Sequence, residues 1–234
     1  MQKSLDSLSG NRKAVCLFSG GLDSTTTLYV ALSEGYLPLA VTFDYGQLHR
    51  REIEAARMIA ESLNIKHQIV KISLPWGGSS LIDAALDIPE NRSVLEMSEG
   101  IPSTYVPARN TIFLSFAMSL AEAQNCEAIF IGANALDYSG YPDCRPDYFE
   151  LMEAVIRKGT KRGVEGKPLT IKAPLLHLKK SEIVKLGAAL GVPFERTWSC
   201  YRGGEVPCST CDACLLREKG FEEAGMHDPI RLTL

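Results

Sequence analysis

Phe18-Ser19-Gly20-Gly21-Leu22-Asp23-Ser24-Thr25-Thr26 is the stretch whose reading decides the fold. The apolar run Ala14-Val15-Cys16-Leu17-Phe18 leads into it and reads as a buried strand. Beyond it, Leu28-Tyr29-Val30-Ala31-Leu32 reads as the start of a helix. A strand ends, two glycines turn the chain, and a helix begins. The first N–H groups of a helix have no partner inside it and carry partial positive charge, so they bind an oxyanion. Gly20 and Gly21 carry no Cβ, which permits a close phosphate and a positive φ. Ser19, Ser24 and Thr25 add hydroxyl donors. The loop has neither the Lys-Ser/Thr pair of a Walker A motif nor the G-x-G-x-x-G spacing of a dinucleotide fingerprint.

Working outward, residues 37–43 read as a second strand and residues 68–72 as a third. Between them, residues 50–63 place Ile53, Ala56, Ile59, Ala60 and Leu63 on one helical face. Alternating strands and helices predict a parallel sheet with right-handed crossovers, which binds ligands beyond the carboxyl ends of its strands. Residues 73–104 break the pattern with Pro75, Gly77, Gly78, Pro89, Gly100 and Pro102. An irregular excursion is expected there, with a short helix near Leu81–Leu86, serving as a lid or a partner contact. The helix that follows Arg109 and Asn110 to about Gln124 is apolar nearly all round and is expected to be buried. Residues 127–132 read as a fourth strand, 147–157 as a helix and 170–173 as a short strand. Lys180 opens a helix to Leu190, closed by Gly191 and Pro193.

Residues 132–146, Gly-Ala-Asn-Ala-Leu-Asp-Tyr-Ser-Gly-Tyr-Pro-Asp-Cys-Arg-Pro, fall at the same sheet edge as the glycine loop. Asn134, Asp137, Tyr138, Tyr141, Asp143 and Arg145 give this turn carboxylates, stacking faces and a guanidinium. A flat, amino-bearing heterocycle with a carboxylate suits such a loop, although Gly140 and Pro142 also suit a plain polar turn. Tyr45, after the second strand, joins the same group. Arg109 is a candidate phosphate partner, and His49 a candidate substrate contact or a surface histidine. Asp23 lies inside an anion-binding loop, where it needs a cation. A Mg²⁺ held between Asp23 and phosphates is one answer.

Of seven cysteines, Cys200, Cys208, Cys211 and Cys214 crowd together, with two C-x-x-C spacings sharing Cys211. Four thiolates make a closed, structural zinc site. An iron–sulfur cluster or a redox pair uses the same residue type. Cys16 reads as a core residue. Cys144 lies in the recognition loop, where packing and substrate contact are both open.

The 234 residues carry 45% hydrophobic and 23% charged residues, which fits a globular protein with a full core. No apolar run is long enough to span a membrane. A net charge of −3 argues against a nucleic-acid surface. The polar N-terminus and the crowded cysteines point to the cytoplasm.

The Ser-Gly-Gly-x-Asp-Ser pattern resembles the PP-loop of the ATP pyrophosphatases. That resemblance implies that residues Phe18, Ser19, Gly20, Gly21, Leu22, Asp23, Ser24, Thr25, Thr26, Thr27 and Leu28 grip the pyrophosphate end of ATP. A substrate then attacks the α-phosphorus, and AMP and diphosphate leave. Lys180, in Lys-Ser-Glu-Ile, resembles a lysine-bearing motif of the same enzymes, though a solvated helix lysine would look alike. Phe43-Asp44-Tyr45-Gly46-Gln47, Val106-Pro107-Ala108-Arg109-Asn110, Gly132-Ala133-Asn134 and residues 137–146 follow in order. With the cysteines, they resemble the 7-cyano-7-deazaguanine synthase family of queuosine biosynthesis, from Lys13 to about Phe221.

The resemblance implies a Rossmann-like α/β domain at 13–190 and a zinc-binding segment at 191–234. It implies 7-carboxy-7-deazaguanine and ammonia as substrates, ATP with Mg²⁺, and a homodimer. Asp23, Ser24, Arg109 and Lys180 carry the chemistry in that reading. Two alternatives stand beside it: a PP-loop tRNA-modifying ligase or thiolase, and a zinc-module binding protein.

Overall fold

The computed structural model describes residues 12–136 and 140–231. Five parallel strands form one sheet: β1 (Lys13–Leu17), β2 (Leu37–Asp44), β3 (Lys66–Lys71), β4 (Ala128–Phe130) and β5 (Thr170–Lys172). Their spatial order is β3-β2-β1-β4-β5. The order reverses at β1, which pairs with β2 on one side and β4 on the other. Loops leaving β1 and β4 therefore diverge and open a crevice at the carboxyl edge, as the doubly wound rule requires.

Alternating side chains along the strands supply both faces. Ala14, Cys16, Ala40 and Phe130 pack with Leu28 and Ala31 of α1 (Leu22–Ser33) and with Ala56 and Ile59 of α2 (Arg51–Ser62). Val15, Leu17, Val41 and Ile129 face the other way. They meet Leu114, Ala117 and Ala121 of α4 (Arg109–Ala123) and Phe149, Met152 and Ile156 of α5 (Pro146–Gly159). The excursion holds α3 (Val94–Ser98), and the short α6 (Lys161–Val164) precedes β5. A third apolar cluster joins Leu22 of α1 to Ile183 and Val184 of α7 (Lys180–Leu190) and Phe221 of α8 (Asp212–Ala224).

Three expectations need correction. The excursion is helical at Val94–Ser98, not near Leu81–Leu86. Ser93 accepts from the Glu96 N–H, and Glu96 accepts from the Ser93 N–H at 2.7 Å, a reciprocal cap. Around residue 81 the side chains of Ser79 and Asp83 take the N–H groups of Leu81 and Ala85, which favours turns over helix. Helix α4 is not buried all round. It is an outer layer, so only the stripe against the sheet is covered, and Phe116 is 44% exposed. Helix α8 is capped by Cys211 and carries Cys214, in a segment where the sequence pattern marked no element.

The glycine loop fits only because position 20 is bare. Gly20 sits at φ +84°, and a Cβ there would lie 2.4 Å from the Glu52 carbonyl oxygen and 2.5 Å from the Ala56 nitrogen. Gly46 has a similar φ of +90°, but a Cβ there would meet nothing within 4 Å. Gly20→Ala should therefore destabilise by about 2–5 kcal/mol, from backbone strain and overpacking together. Gly46→Ala should cost only the strain, about 1–2 kcal/mol. Urea denaturation of both variants measures the difference.

Candidate active site

The crevice is a cleft of about 240 Å³ at the carboxyl ends of β1, β2 and β4. One wall is the glycine loop, with Phe18, Ser19, Gly21, Leu22, Asp23 and Ser24. Gly21 is the extended N-cap of α1. Its N–H donates to Ser19 Oγ at 3.2 Å, and the Ser19 N–H donates to Ser24 Oγ at 3.2 Å. The two serine hydroxyls are 3.0 Å apart, and Thr25 Oγ1 donates to the Gly21 carbonyl at 2.7 Å. These bonds fix the loop before any ligand arrives. Gly132 lets the end of β4 lie against the turn, since a Cβ there would sit 2.9 Å from the Ser24 nitrogen.

Both Asp23 oxygens accept from Lys180 Nζ at 2.8 Å. The chain itself thus supplies Asp23 with a cation. Lys180 is 8% exposed, so it is no solvated helix lysine. Its stem runs over Gly220 of α8, where a Cβ would lie 2.3 Å from Lys180 Cγ.

The opposite wall is aromatic. Arg109 opens α4 after Ala108, which takes a left-handed φ of 52°. Its guanidinium donates to the Tyr45 hydroxyl at 3.2 Å and lies 5.8 Å from that ring. Phe113 stacks on Phe43 at 4.0 Å, with Tyr45 tilted against it at 5.4 Å. Burial pushes the Tyr45 and Tyr141 phenols up, so both stay neutral and hydrogen-bond as hydroxyls. Tyr141 meets Thr104 Oγ1 at 2.8 Å. Cys144 also lines the cleft, and burial pushes its thiol up to about 12.

Not every residue singled out from sequence faces the cleft. Asn134 lines it, but its amide donates to the Leu178 carbonyl at 2.6 Å and its oxygen accepts from the Leu136 N–H at 2.8 Å. It fixes the chain ahead of α7. Asp143 is buried and accepts from the Asn110 N–H at 3.0 Å, which anchors the start of α4. Gly20, Thr25, Thr26, Thr27 and Leu28 support the loop from behind, the last four within α1. Arg145 is exposed at the N-cap of α5. Asp137 and Tyr138 lie outside the described residues. His49 is half-buried against Gly203, 3.7 Å from Glu52, and does not line the cleft.

Glu52, Phe113, Trp198, Ser199 and Tyr201 do line it, and sequence reasoning missed them. An acid in a first helical turn is too ordinary a signal to mark Glu52. Trp198 and Ser199 stand just before Cys200, which was the available clue.

Cys200, Cys208, Cys211 and Cys214 place their sulfurs within 4.8 Å of one another. N–H groups of Arg202 and Cys208 point at Cys200 Sγ at 3.4 Å, and that of Cys211 at Cys208 Sγ at 3.4 Å. Hydrogen bonds from Cys211 and Cys214 draw the Cys200 thiol well down, while its bond to Cys200 pushes Cys211 up to about 12. Four soft, crowded donors with amide support fit one thiophilic metal ion. The excursion straps this knuckle. Asn91 N–H donates to the Thr210 carbonyl at 2.8 Å, and Arg92 forks onto Asp212. The Trp198 N–H then donates to the Gly20 carbonyl at 3.0 Å, joining the cysteine segment to the glycine loop.

A doubly wound parallel sheet with a hydroxyl-rich glycine loop at its switch point is the fold of the PP-loop ATP pyrophosphatases. A solved 4-thiouridine synthetase–RNA complex with bound ATP shares that fold, with a TM-score of 0.50 and 21% identity over 90% of this chain and 53% of its own. Residues 13–225 match the model of the family described as queuosine biosynthesis protein QueC. The 7-cyano-7-deazaguanine synthase of Nostoc punctiforme is 58% identical over 220 residues, 93% of this chain and 98% of its own. That of Trichodesmium erythraeum is 56% identical over 93% of this chain and 99% of its own. The chain belongs to this family.

Burial raises the Asp143 carboxyl above its ordinary 3.8, with the Asn110 N–H opposing. The folded state then holds that proton more tightly than the unfolded chain does. Native protein should gain stability relative to Asp143→Asn as pH falls through the raised value toward 3.8, and lose that gain as pH returns to neutral. Denaturation midpoints of the two proteins across pH 4–7 measure this.

Proposed function

We infer that the chain converts 7-carboxy-7-deazaguanine and ammonia to 7-cyano-7-deazaguanine, using ATP and releasing AMP and diphosphate. Family membership supports this over a tRNA-modifying ligase. The observation that carries the site assignment is the preorganised serine–glycine loop at the switch point, facing an arginine and a wall of aromatic rings. A carboxylate resists ammonia because oxide leaves badly. Transfer of an adenylyl group to its oxygen supplies a good leaving group, and ammonia then gives the amide. Loss of the second oxygen requires adenylation of the amide in turn, so two ATP are consumed per nitrile.

In this reading, residues 18–28 hold the phosphates through α1's free N–H groups and the Ser19 and Ser24 hydroxyls. Arg109 meets charge developing on the transferring phosphorus. Lys180 holds Asp23 in place and adds positive potential beneath the loop. A Mg²⁺ bound with ATP would be held between Asp23 and the phosphates and would neutralise their charge. Tyr45, Tyr141 and Phe113 stack the deazaguanine, and Asp137 and Tyr138 are proposed to read its edge. Asn134, Asp143 and Arg145 shape that pocket from behind.

One zinc ion in the four-cysteine site ties residues 198–214 to the loop through Trp198. The unit 13–190 handles nucleotide, and 191–234 packs on it. No helix among the described residues is long and apolar enough to cross a membrane. A cytoplasmic homodimer is the expected form.

With ATP, ammonium and the acid, the protein should form AMP and nitrile in a 2:1 ratio, with no ADP. Ser24→Ala should lower the rate about 100-fold, the usual cost of one preorganised donor. Chromatography of nucleotides and product measures both, and ADP in place of AMP would overturn the reading. Purified protein should also contain one equivalent of zinc by elemental analysis. Chelators should strip it faster as pH falls, because protons compete for thiolates, and melting temperature should fall with the metal.

A further inference from the structure

The reaction above needs a group that removes protons from nitrogen, and the cleft narrows the choice. Its acidic side chains among the described residues are Asp23 and Glu52. Asp23 is committed to Lys180 through both oxygens. Tyr45, Tyr141 and Cys144, which also line the cleft, are held protonated by burial. Glu52 remains. It stands in the first turn of α2, and its carbonyl oxygen is the atom against which Gly20 packs. That contact fixes the height of the side chain beside the phosphate loop. The titratable and charged groups facing it are His49, at 3.7 Å, Arg109 and the Tyr45 phenol. His49 is itself wedged in place, since a Cβ on Gly203 would lie 2.0 Å from His49 Cβ. The carboxylate therefore stands in the cleft wall beside the glycine loop, with Arg109 and His49 near it.

We propose that Glu52 is the general base of amide formation, a reading that rests on the function inferred above. Ammonia attacks the acyl carbon of the adenylate, forming the C–N bond and moving the carbonyl electron pair onto oxygen. The nitrogen now carries a positive charge. Glu52 takes one of its protons, the oxygen pair re-forms the carbonyl, and the C–O bond to AMP breaks with its electrons leaving on the AMP oxygen. The protonated Glu52 returns its proton to water. Once that proton is gone, the nitrogen can no longer leave as neutral ammonia, and the intermediate is committed to the amide.

Burial raises the Glu52 carboxyl above its ordinary 4.5, against the pull of His49 and Arg109 toward the charged form. A base with a raised value is better matched to neutral pH. Its deprotonated form is lost as pH falls through that raised value, so the rate of amide formation should fall on the same limb.

Glu52→Gln keeps size and hydrogen-bonding shape but cannot accept the proton. Diphosphate release from ATP and 7-carboxy-7-deazaguanine without ammonium should stay within a few-fold of the native enzyme. Amide formation on adding ammonium should fall about 100-fold or more. Its acidic pH limb, set above the ordinary glutamate range in the native enzyme, should vanish in Glu52→Gln and persist, displaced, in Glu52→Asp. Amide formation close to native in Glu52→Gln, an unchanged pH limb, or adenylation falling in step with amidation would each overturn the assignment. Native protein that forms no adenylate from this acid would instead remove the functional reading, and the assignment with it.

Discussion

The missing side chain at Gly20 is the constraint on which the rest of the structure depends. Three backbones meet there: the glycine loop, the first turns of α2 and the segment entering the cysteine knuckle. A methyl group would force α2 off the loop, since its nearest neighbours are backbone atoms that have no rotamer to change. Trp198 would lose its carbonyl partner as well. The turn is thus a packing junction and a ligand cradle at once. Both uses ask for the same residue, one because of space and the other because of φ.

Charge in the cleft follows a similar logic. An anion-binding loop that contains a carboxylate works against itself unless a cation is at hand. Lys180 meets Asp23 from the far side of α1, and α8 contributes Gly220 so that the lysine stem can pass. Helices distant in sequence are therefore joined by one ion pair beneath the loop. A little further out, Arg217 donates to the Phe194 carbonyl at 2.9 Å and to both Asp228 oxygens at 2.8 and 2.6 Å. This buried cluster holds the segment that carries Trp198 and Ser199 into the cleft. The knuckle, the excursion and the loop form one continuous path of backbone and charge contacts. Order at the four cysteines and order at the glycine loop are physically linked through it.

Much of this was legible in the sequence because it is local. Strand, glycine turn and helix follow one another within about twenty residues, and hydrophobic spacing marks all five strands. The cysteines announce themselves by spacing alone. Tyr45 was picked out after the second strand, Tyr141 in the polar turn after the fourth and Arg109 by the helix that follows it, and each reaches the cleft. Asn134 and Asp143 were chosen for the same reason but spend their polar atoms on backbone groups. Nothing in the sequence distinguishes a side chain that reads a ligand from one that satisfies a carbonyl. Near residue 81 the local signal misled, because short side chains captured the N–H groups a helix would have used.

What the chain's order of residues determined by itself was the architecture, the anion-binding turn and the thiol cluster. Each is written in contacts between residues close in sequence or in a repeating period. What only the tertiary structure decided was partnership: Lys180 with Asp23 across 157 positions, Arg92 with Asp212 across 120, and Glu52 placed in the wall of the cleft. Such pairs depend on how helices cross and where a glycine leaves room. No local pattern encodes that, because the partner's distance is set by the sheet between them.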